Sequence, residues 1–160
     1  MQQALYFSIG MGVLAIVYGA FLISWVLKRP AGDEKMQSIA RAIQQGASAY
    51  LNRQYRTIAI VACIVGLLLW FTLGSTLAIG FLVGALLSGA AGYIGMTISV
   101  QANVRTAEAA KKGLAAALDV AVKGGMVTGM LVAGLGLIGV AAFYAVTKDI
   151  SALIGLGFGG

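Results

Sequence analysis

At positions 57–104 the chain reads TIAIVACIVGLLLWFTLGSTLAIGFLVGALLSGAAGYIGMTISVQANV, a stretch of 48 residues without a charged side chain. A helix needs about 20 predominantly apolar residues to cross the hydrocarbon core of a bilayer, so this stretch is too long for one crossing. Gly74 and Ser75 divide it in two. The sequence therefore predicts a helical hairpin with membrane spans at about 57–73 and 76–100.

Uncharged runs on both sides of this hairpin extend the pattern. They predict further spans at about 4–27 and 124–146, and residues 150–160 resemble the opening of a fifth span. Only 10% of all residues are charged and 60% are hydrophobic, whereas soluble domains carry about 25% charged residues. We predict an all-α membrane protein: a multi-span transmembrane helical bundle with four full spans plus the start of a fifth, in a single transmembrane region 1–160.

The basic residues are confined to the segments between spans. Ten of the eleven lie in two segments, 28–56 and 101–123. Positive charge concentrates in cytoplasmic loops, so both segments are predicted to be cytoplasmic. The protein is then expected in the plasma or inner membrane, with its N-terminus and Lys148 on the outer side. The same distribution explains the net charge of +6 better than a nucleic-acid partner does, because no basic patch with interleaved aromatic residues is present.

The first basic segment is predicted to contain an amphipathic helix. Apolar residues recur there with i, i+3, i+4, i+7 spacing: Met36, Ile39, Ala40, Ile43, Ala47, Tyr50 and Leu51. The acids Asp33 and Glu34 suit a helix start, so this helix is expected to begin near Asp33 and to run into the second span. The same pattern also fits an interfacial helix that only anchors the hairpin in the lipid surface.

Helix and glycine patterns are also visible in the second half of the chain. The second basic segment is Ala-rich and should be helical, with a break near Gly113. Small residues recur in the third and fourth spans, and such spacing lets membrane helices approach closely, so packing is the expected role. These residues are Gly80, Gly84, Ser88 and Gly92, then Gly125, Gly129, Gly134, Gly136 and Gly139.

The residues that carry most chemistry are absent or lie outside the spans. There is no histidine, and the single cysteine, Cys63, is expected to be a small buried apolar residue within a span. All five acids fall in loops or at span ends. Asp119 is one turn from Lys123 and is expected to be a solvated or paired loop acid. A rotary-ATPase proteolipid-like subunit needs a carboxylate in mid-span, so that alternative is disfavoured. No phosphate-binding loop and no carboxylate cluster for Mg²⁺ are present.

Four segments carry a family resemblance, and they follow one another along the chain in the same order as in that family. They are AIQQGASAYL at 42–51, GYIGM with ANVRTA between 92 and 107, KGL with GLGL between 112 and 137, and GLGFGG at 155–160. Together they resemble the start of the membrane-integral inorganic pyrophosphatases, and ANVRTA is the most specific element.

The resemblance implies an enzyme that couples hydrolysis of inorganic pyrophosphate to transport of protons (or sodium ions), uses Mg²⁺ and forms a homodimer in the lipid bilayer. The family's catalytic segments follow the fifth span, so this chain would be an N-terminal fragment that supplies outer scaffold helices. No catalytic, cofactor-binding or metal residue is carried over. The alternatives are a stand-alone four-span membrane packing or accessory protein, and a small transporter with a site between repeats.

Overall fold

The computed structural model describes residues 2–160, and this part of the chain is helical throughout except for its turns. Five helices follow one another: α1 (Gln2–Leu27), α2 (Glu34–Leu73), α3 (Ser75–Ala110), α4 (Leu114–Thr147) and α5 (Ile150–Gly159). The first four are long and apolar enough to cross a membrane, and α5 is shorter. The predicted all-α bundle with four spans and the start of a fifth is therefore confirmed, while the limits of the spans within these helices stay predictions.

The first basic segment continues directly into the membrane helix. Asp33 caps α2, because its carboxylate accepts a hydrogen bond of 2.9 Å from the backbone N–H of Met36. From Glu34 the helix runs without interruption for 40 residues to Leu73. At 1.5 Å per residue this is about 60 Å, roughly twice the thickness of a bilayer core. The predicted helix from Asp33 into the second span is confirmed.

Glycines with positive φ stand at the α2–α3 and α3–α4 turns. Gly74 ends α2 with φ 99° and separates it from α3, and Gly113 separates α3 from α4 with φ 110°. These backbone conformations strain any residue that has a Cβ, which is why glycine stands at both positions. The predicted hairpin at Gly74 and the predicted break near Gly113 are confirmed.

Helix α3 is the centre of the bundle. Helices α2, α4 and α5 all pack against it, while α1 lies mainly against α4. A small apolar core joins α1, α3 and α4, and it consists of Leu22, Ala91, Ile98, Val127 and Leu131. Helix α2 is more peripheral, since Gly66 is its only buried residue between 57 and 73. The predicted burial of Cys63 is therefore wrong within this chain, because its side chain lies on the exposed face of this peripheral helix.

Close helix contacts occur at most of the predicted glycines. An added Cβ at Gly80 would lie 2.8 Å from the carbonyl oxygen of Ala152 in α5, and one at Gly134 would lie 2.8 Å from that of Gly12 in α1. Gly84 meets Leu156 of α5 in the same way. These positions allow backbones to touch, as the small-residue pattern predicts.

The packing prediction is wrong within this chain for three glycines of α4. No atom would lie within 4 Å of a Cβ added at Gly125, Gly129 or Gly136. At 100° per residue these positions fall within about 40° of one another, while Gly134 is about 180° from Gly125. The three therefore share a face of α4 that points away from α1 and α3.

Candidate functional site

Both basic segments meet at one end of the bundle. The Arg105 guanidinium of α3 donates through Nη2 to the carbonyl oxygen of Leu27, the last residue of α1, at 3.2 Å. Its Nη1 donates to the carbonyl oxygen of Gln101 at 2.7 Å. Lys123 of α4 places its Nζ 3.9 Å from the centroid of the Trp25 ring. We call this region the basic end. It is the only concentration of charge among residues 2–160, and Lys148 lies at the opposite end.

An ion-pair network joins the two basic segments. The Lys111 Nζ lies 2.6 Å from Glu108 Oε2 and 3.5 Å from Asp33 Oδ2. The hydrogen bond from the Met36 N–H is the main cause that lowers the pKa of Asp33, and the positive charge of Lys111 also lowers it. The hydrogen bond to Glu108 is the main cause that raises the pKa of Lys111. Because Lys111 and Asp33 are exposed, these pairs fix geometry more than they add stability.

The acid nearest to a predicted span also has a partner. Asp119 Oδ1 lies 2.7 Å from the Nζ of Lys123, one turn later in α4. The expected pairing is confirmed, and Asp119 is half exposed in this arrangement. It therefore has the environment of a surface ion pair, which differs from that of a carboxylate buried in mid-membrane.

Residues just after the first segment of the resemblance contact the second segment. The rings of Tyr55 in α2 and Tyr93 in α3 meet edge to face, with centroids 5.2 Å apart. Tyr93 donates a hydrogen bond of 3.2 Å to Asn52 Oδ1. A Cβ at Gly92 would lie 2.6 Å from the Tyr55 hydroxyl oxygen, so the glycine makes room for that ring. Sequence reasoning did not find this contact, although Gly92 beside Tyr93 was a signal of close packing.

The predicted apolar face of α2 is only partly covered. Ala40 and Leu51 are buried against the bundle, but Ile39, Ile43 and Tyr50 are each more than half exposed. A groove of about 260 Å³ runs between this part of α2 and the end of α3. The helix is amphipathic as predicted, and α3 covers only part of the width of its apolar stripe.

Comparison with known proteins identifies the chain. The model of the family described as Inorganic H+ pyrophosphatase matches residues 13–160. The chain belongs to this family. The resemblance that the sequence motifs carry is thereby confirmed.

Individual members of the family are closely similar. The K(+)-insensitive pyrophosphate-energized proton pump of Methanosarcina mazei is 49% identical over 150 residues, which are 92% of this chain and 22% of that pump. The K(+)-insensitive pyrophosphate-energized proton pump 2 of Moorella thermoacetica is 46% identical over 156 residues, which are 92% of this chain and 23% of that pump. A putative K(+)-stimulated pyrophosphate-energized sodium pump of Clostridium tetani is 40% identical over 81% of this chain and 19% of its own length. The chain spans about a fifth of the length of these pyrophosphatase relatives.

The residues present do not fit the metal that the pyrophosphatase family implies. Among residues 2–160 there is no group of three His, Cys, Asp or Glu side chains that could hold a metal ion. Mg²⁺ is bound through carboxylates and substrate phosphates, and three acids of the basic end, Asp33, Glu108 and Asp119, already pair with lysines. No catalytic step through Mg²⁺ can be built from residues 2–160. That no site residue lies here stays a prediction.

Proposed function

We propose that this chain is the N-terminal membrane segment of a pump that hydrolyses inorganic pyrophosphate and uses the released energy to move protons, or sodium ions, across a membrane. The observation that carries the proposal is the 49% identity to a pyrophosphate-energized proton pump over 92% of this chain. The family match over residues 13–160 supports it. Both favour a pump segment over a stand-alone accessory protein or a proteolipid-like subunit.

Within that pump this segment acts as scaffold. Ion paths through membranes are usually marked by ionisable side chains inside the spans. No Asp, Glu, Lys, Arg or His lies at 57–104 or 124–147. Helix contacts here depend instead on glycine and small apolar residues, which give a rigid bundle. Substrate, Mg²⁺ and the transported ion are then handled by parts of the pump outside residues 2–160.

The basic end faces the cytoplasm in this proposal. The positive-inside rule supports it, because ten basic residues lie at this end of the bundle and only Lys148 at the other. The pump resides in the plasma or inner membrane with the N-terminus outside. It forms a homodimer in the bilayer, which cross-linking of the intact pump in membranes can test.

The test of the proposed function uses membrane vesicles from cells that express the complete reading frame containing this chain. We expect Mg²⁺-dependent hydrolysis of pyrophosphate, together with acidification or sodium uptake in inverted vesicles. Vesicles with the reading frame cut after Gly160 serve as the control and should hydrolyse none. Vesicles that hydrolyse no pyrophosphate with the complete frame, or equal hydrolysis with the truncated one, would contradict the proposal.

A further inference from the structure

The basic end contains a pocket that the proposed pumping function does not use. It lies where the end of α1, the end of α3 and the start of α4 meet, and its volume is about 160 Å³. We call it the Trp25 pocket. Its aromatic and charged lining consists of Trp25, Arg29, Arg105, Glu108, Lys112 and Asp119.

The Trp25 pocket keeps a net positive charge, because both acids that line it are neutralised by lysines. Glu108 is paired with Lys111 and Asp119 with Lys123. Arg29, Arg105 and Lys112 make no ion pair with any acid among residues 2–160. Three cations around one small pocket repel one another, and an anion between them would relieve that repulsion.

Arg105 supplies a second sign of an absent partner. Its two terminal nitrogens donate to the carbonyl oxygens of Gln101 and Leu27, which fixes the guanidinium in place. Its Nε is buried and has no hydrogen-bond partner in the described part of the chain. A buried donor without an acceptor is unfavourable, and a planar guanidinium matches the geometry of a phosphate group.

Trp25 places this pocket at the level of the membrane surface. The residue lies two positions before the end of α1, and Trp is enriched where apolar spans meet lipid headgroups. The Arg29 guanidinium carbon lies 3.8 Å and the Lys123 Nζ 3.9 Å from its ring centroid. Both cations thus lie against the Trp25 ring at this end of the bundle.

An exposed apolar stripe runs along α1 from this ring into the membrane. At helical i−4, i−7, i−8 and i−11 spacing from Trp25 the stripe contains Phe21, Tyr18, Val17 and Leu14, which are exposed by 44 to 61%. An acyl chain can pack against such an apolar surface, whereas a free phosphate ion makes no favourable contact with it. This stripe is the reason to favour a lipid over a soluble anion.

We propose that the Trp25 pocket binds the phosphate group of an anionic phospholipid, with the acyl chains lying on the exposed stripe of α1. Basic pockets between membrane helices bind anionic headgroups in this way. Arg105 Nε and the side chains of Arg29 and Lys112 are the donors. The lipid would join α1 to α3 and α4 at the membrane surface, independently of pyrophosphate hydrolysis.

The experiment measures lipid retention by native mass spectrometry of the purified intact protein. Phosphatidylglycerol and phosphatidylcholine are added at equal concentration, and inorganic phosphate is added in a separate arm. The test variant is R29Q/K112Q, which changes two exposed side chains outside the core and should leave the fold intact. The matched control is R41Q/R53Q, which removes two exposed basic residues of α2 outside the pocket.

We expect the wild-type protein to retain phosphatidylglycerol over phosphatidylcholine. A basic residue near an anionic lipid surface changes affinity roughly five-fold, so R29Q/K112Q should weaken retention by about 25-fold. R41Q/R53Q should retain the lipid as the wild type does, and millimolar phosphate should not displace it.

Equal retention of phosphatidylglycerol by R29Q/K112Q and R41Q/R53Q would overturn the site. Displacement by inorganic phosphate would overturn its assignment to a lipid. Hydrolytic activity is a separate readout, so failure of the proposed pump would not be confused with failure of this site.

Discussion

Gly134→Ala provides a direct test of the α1–α4 contact. A Cβ at this position would lie 2.8 Å from the carbonyl oxygen of Gly12, 2.8 Å from Ile16 Cγ1 and 3.2 Å from Ile16 N. Ordinary contacts of a Cβ begin at 3.4 Å, so the shortfall is 3.4 − 2.8 = 0.6 Å. Two of the three atoms belong to the backbone of α1 and cannot rotate away. The two helices must therefore move apart.

The matched control is Gly136→Ala on the same helix, where no atom would lie within 4 Å of the new Cβ. Both substitutions gain helix propensity of up to about 1 kcal/mol, so the difference between them isolates packing. Overpacking of this kind costs about 1–3 kcal/mol. Part of that cost arises because helices that separate by about 0.5–1 Å lose a quarter to a half of the dispersion energy of each contact between them. We expect the Gly134→Ala variant to be less stable than the Gly136→Ala variant by about 1–3 kcal/mol.

The assay is unfolding of the purified protein in mixed micelles by titration with SDS, followed by tryptophan fluorescence and helical circular dichroism. The free energy of unfolding is compared between the two variants at the same detergent composition. Equal stability of the two variants, or a more stable Gly134→Ala protein, would refute the reasoning. It would mean that α1 and α4 do not approach through Gly12 and Gly134 in the folded protein.

Three further predictions concern the α3–α5 contact, the orientation and the α2 cap. Gly84→Leu should lower the thermal unfolding temperature of the intact protein in detergent, because the side chain would overlap the backbone of Leu156 in α5; a wild-type unfolding temperature would show that this face is open to lipid. Ser38→Cys, with Cys63 replaced by Ser, should react with a membrane-impermeant maleimide only after permeabilisation, because the basic end is expected to face the cytoplasm; labelling of intact cells would mean the inverse orientation. Asp33 has a lowered pKa in the folded chain, so its cap stabilises the start of α2 fully above its ordinary pKa of 3.8 and loses this contribution as pH falls through the lower folded-state value. The hydrogen-exchange protection of the first turn, measured relative to an unstructured peptide at the same pH, should fall over that range in the wild type, and Asp33→Asn should abolish this loss of protection.

The main features of the fold could be predicted from the distribution of charge. Lys28 and Arg29 mark the end of α1, and the uncharged stretch at 57–104 with Gly74 inside it gave the α2–α3 hairpin. Asp33 was a readable start signal for α2 because a short acidic side chain can cap a helix locally. These signals work because they depend on neighbouring residues and on the cost of placing charge in lipid.

The basic end could be predicted only in outline. Sequence placed both basic segments on one side of the membrane, and the Asp119–Lys123 pair followed from their spacing in one helix. The contact of Lys123 with Trp25 and the hydrogen bond from Arg105 to Leu27 join residues of different helices. Their side chains meet only because the end of α1, the end of α3 and the start of α4 come together in the bundle, so no periodicity in one segment could reveal the Trp25 pocket.

The sequence by itself determined the class of protein, the number of crossings, the positions of the turns and, through its motifs, the family. Those features follow from hydrophobicity, from charge and from local backbone preferences, which act within a segment. The tertiary structure alone decided which glycines are contacts: Gly134 touches α1, while Gly125, Gly129 and Gly136 face away although they look the same in the sequence. The physical reason is that a missing Cβ permits close approach but does not cause it. Which face a helix presents is chosen by the shapes of all its neighbours together.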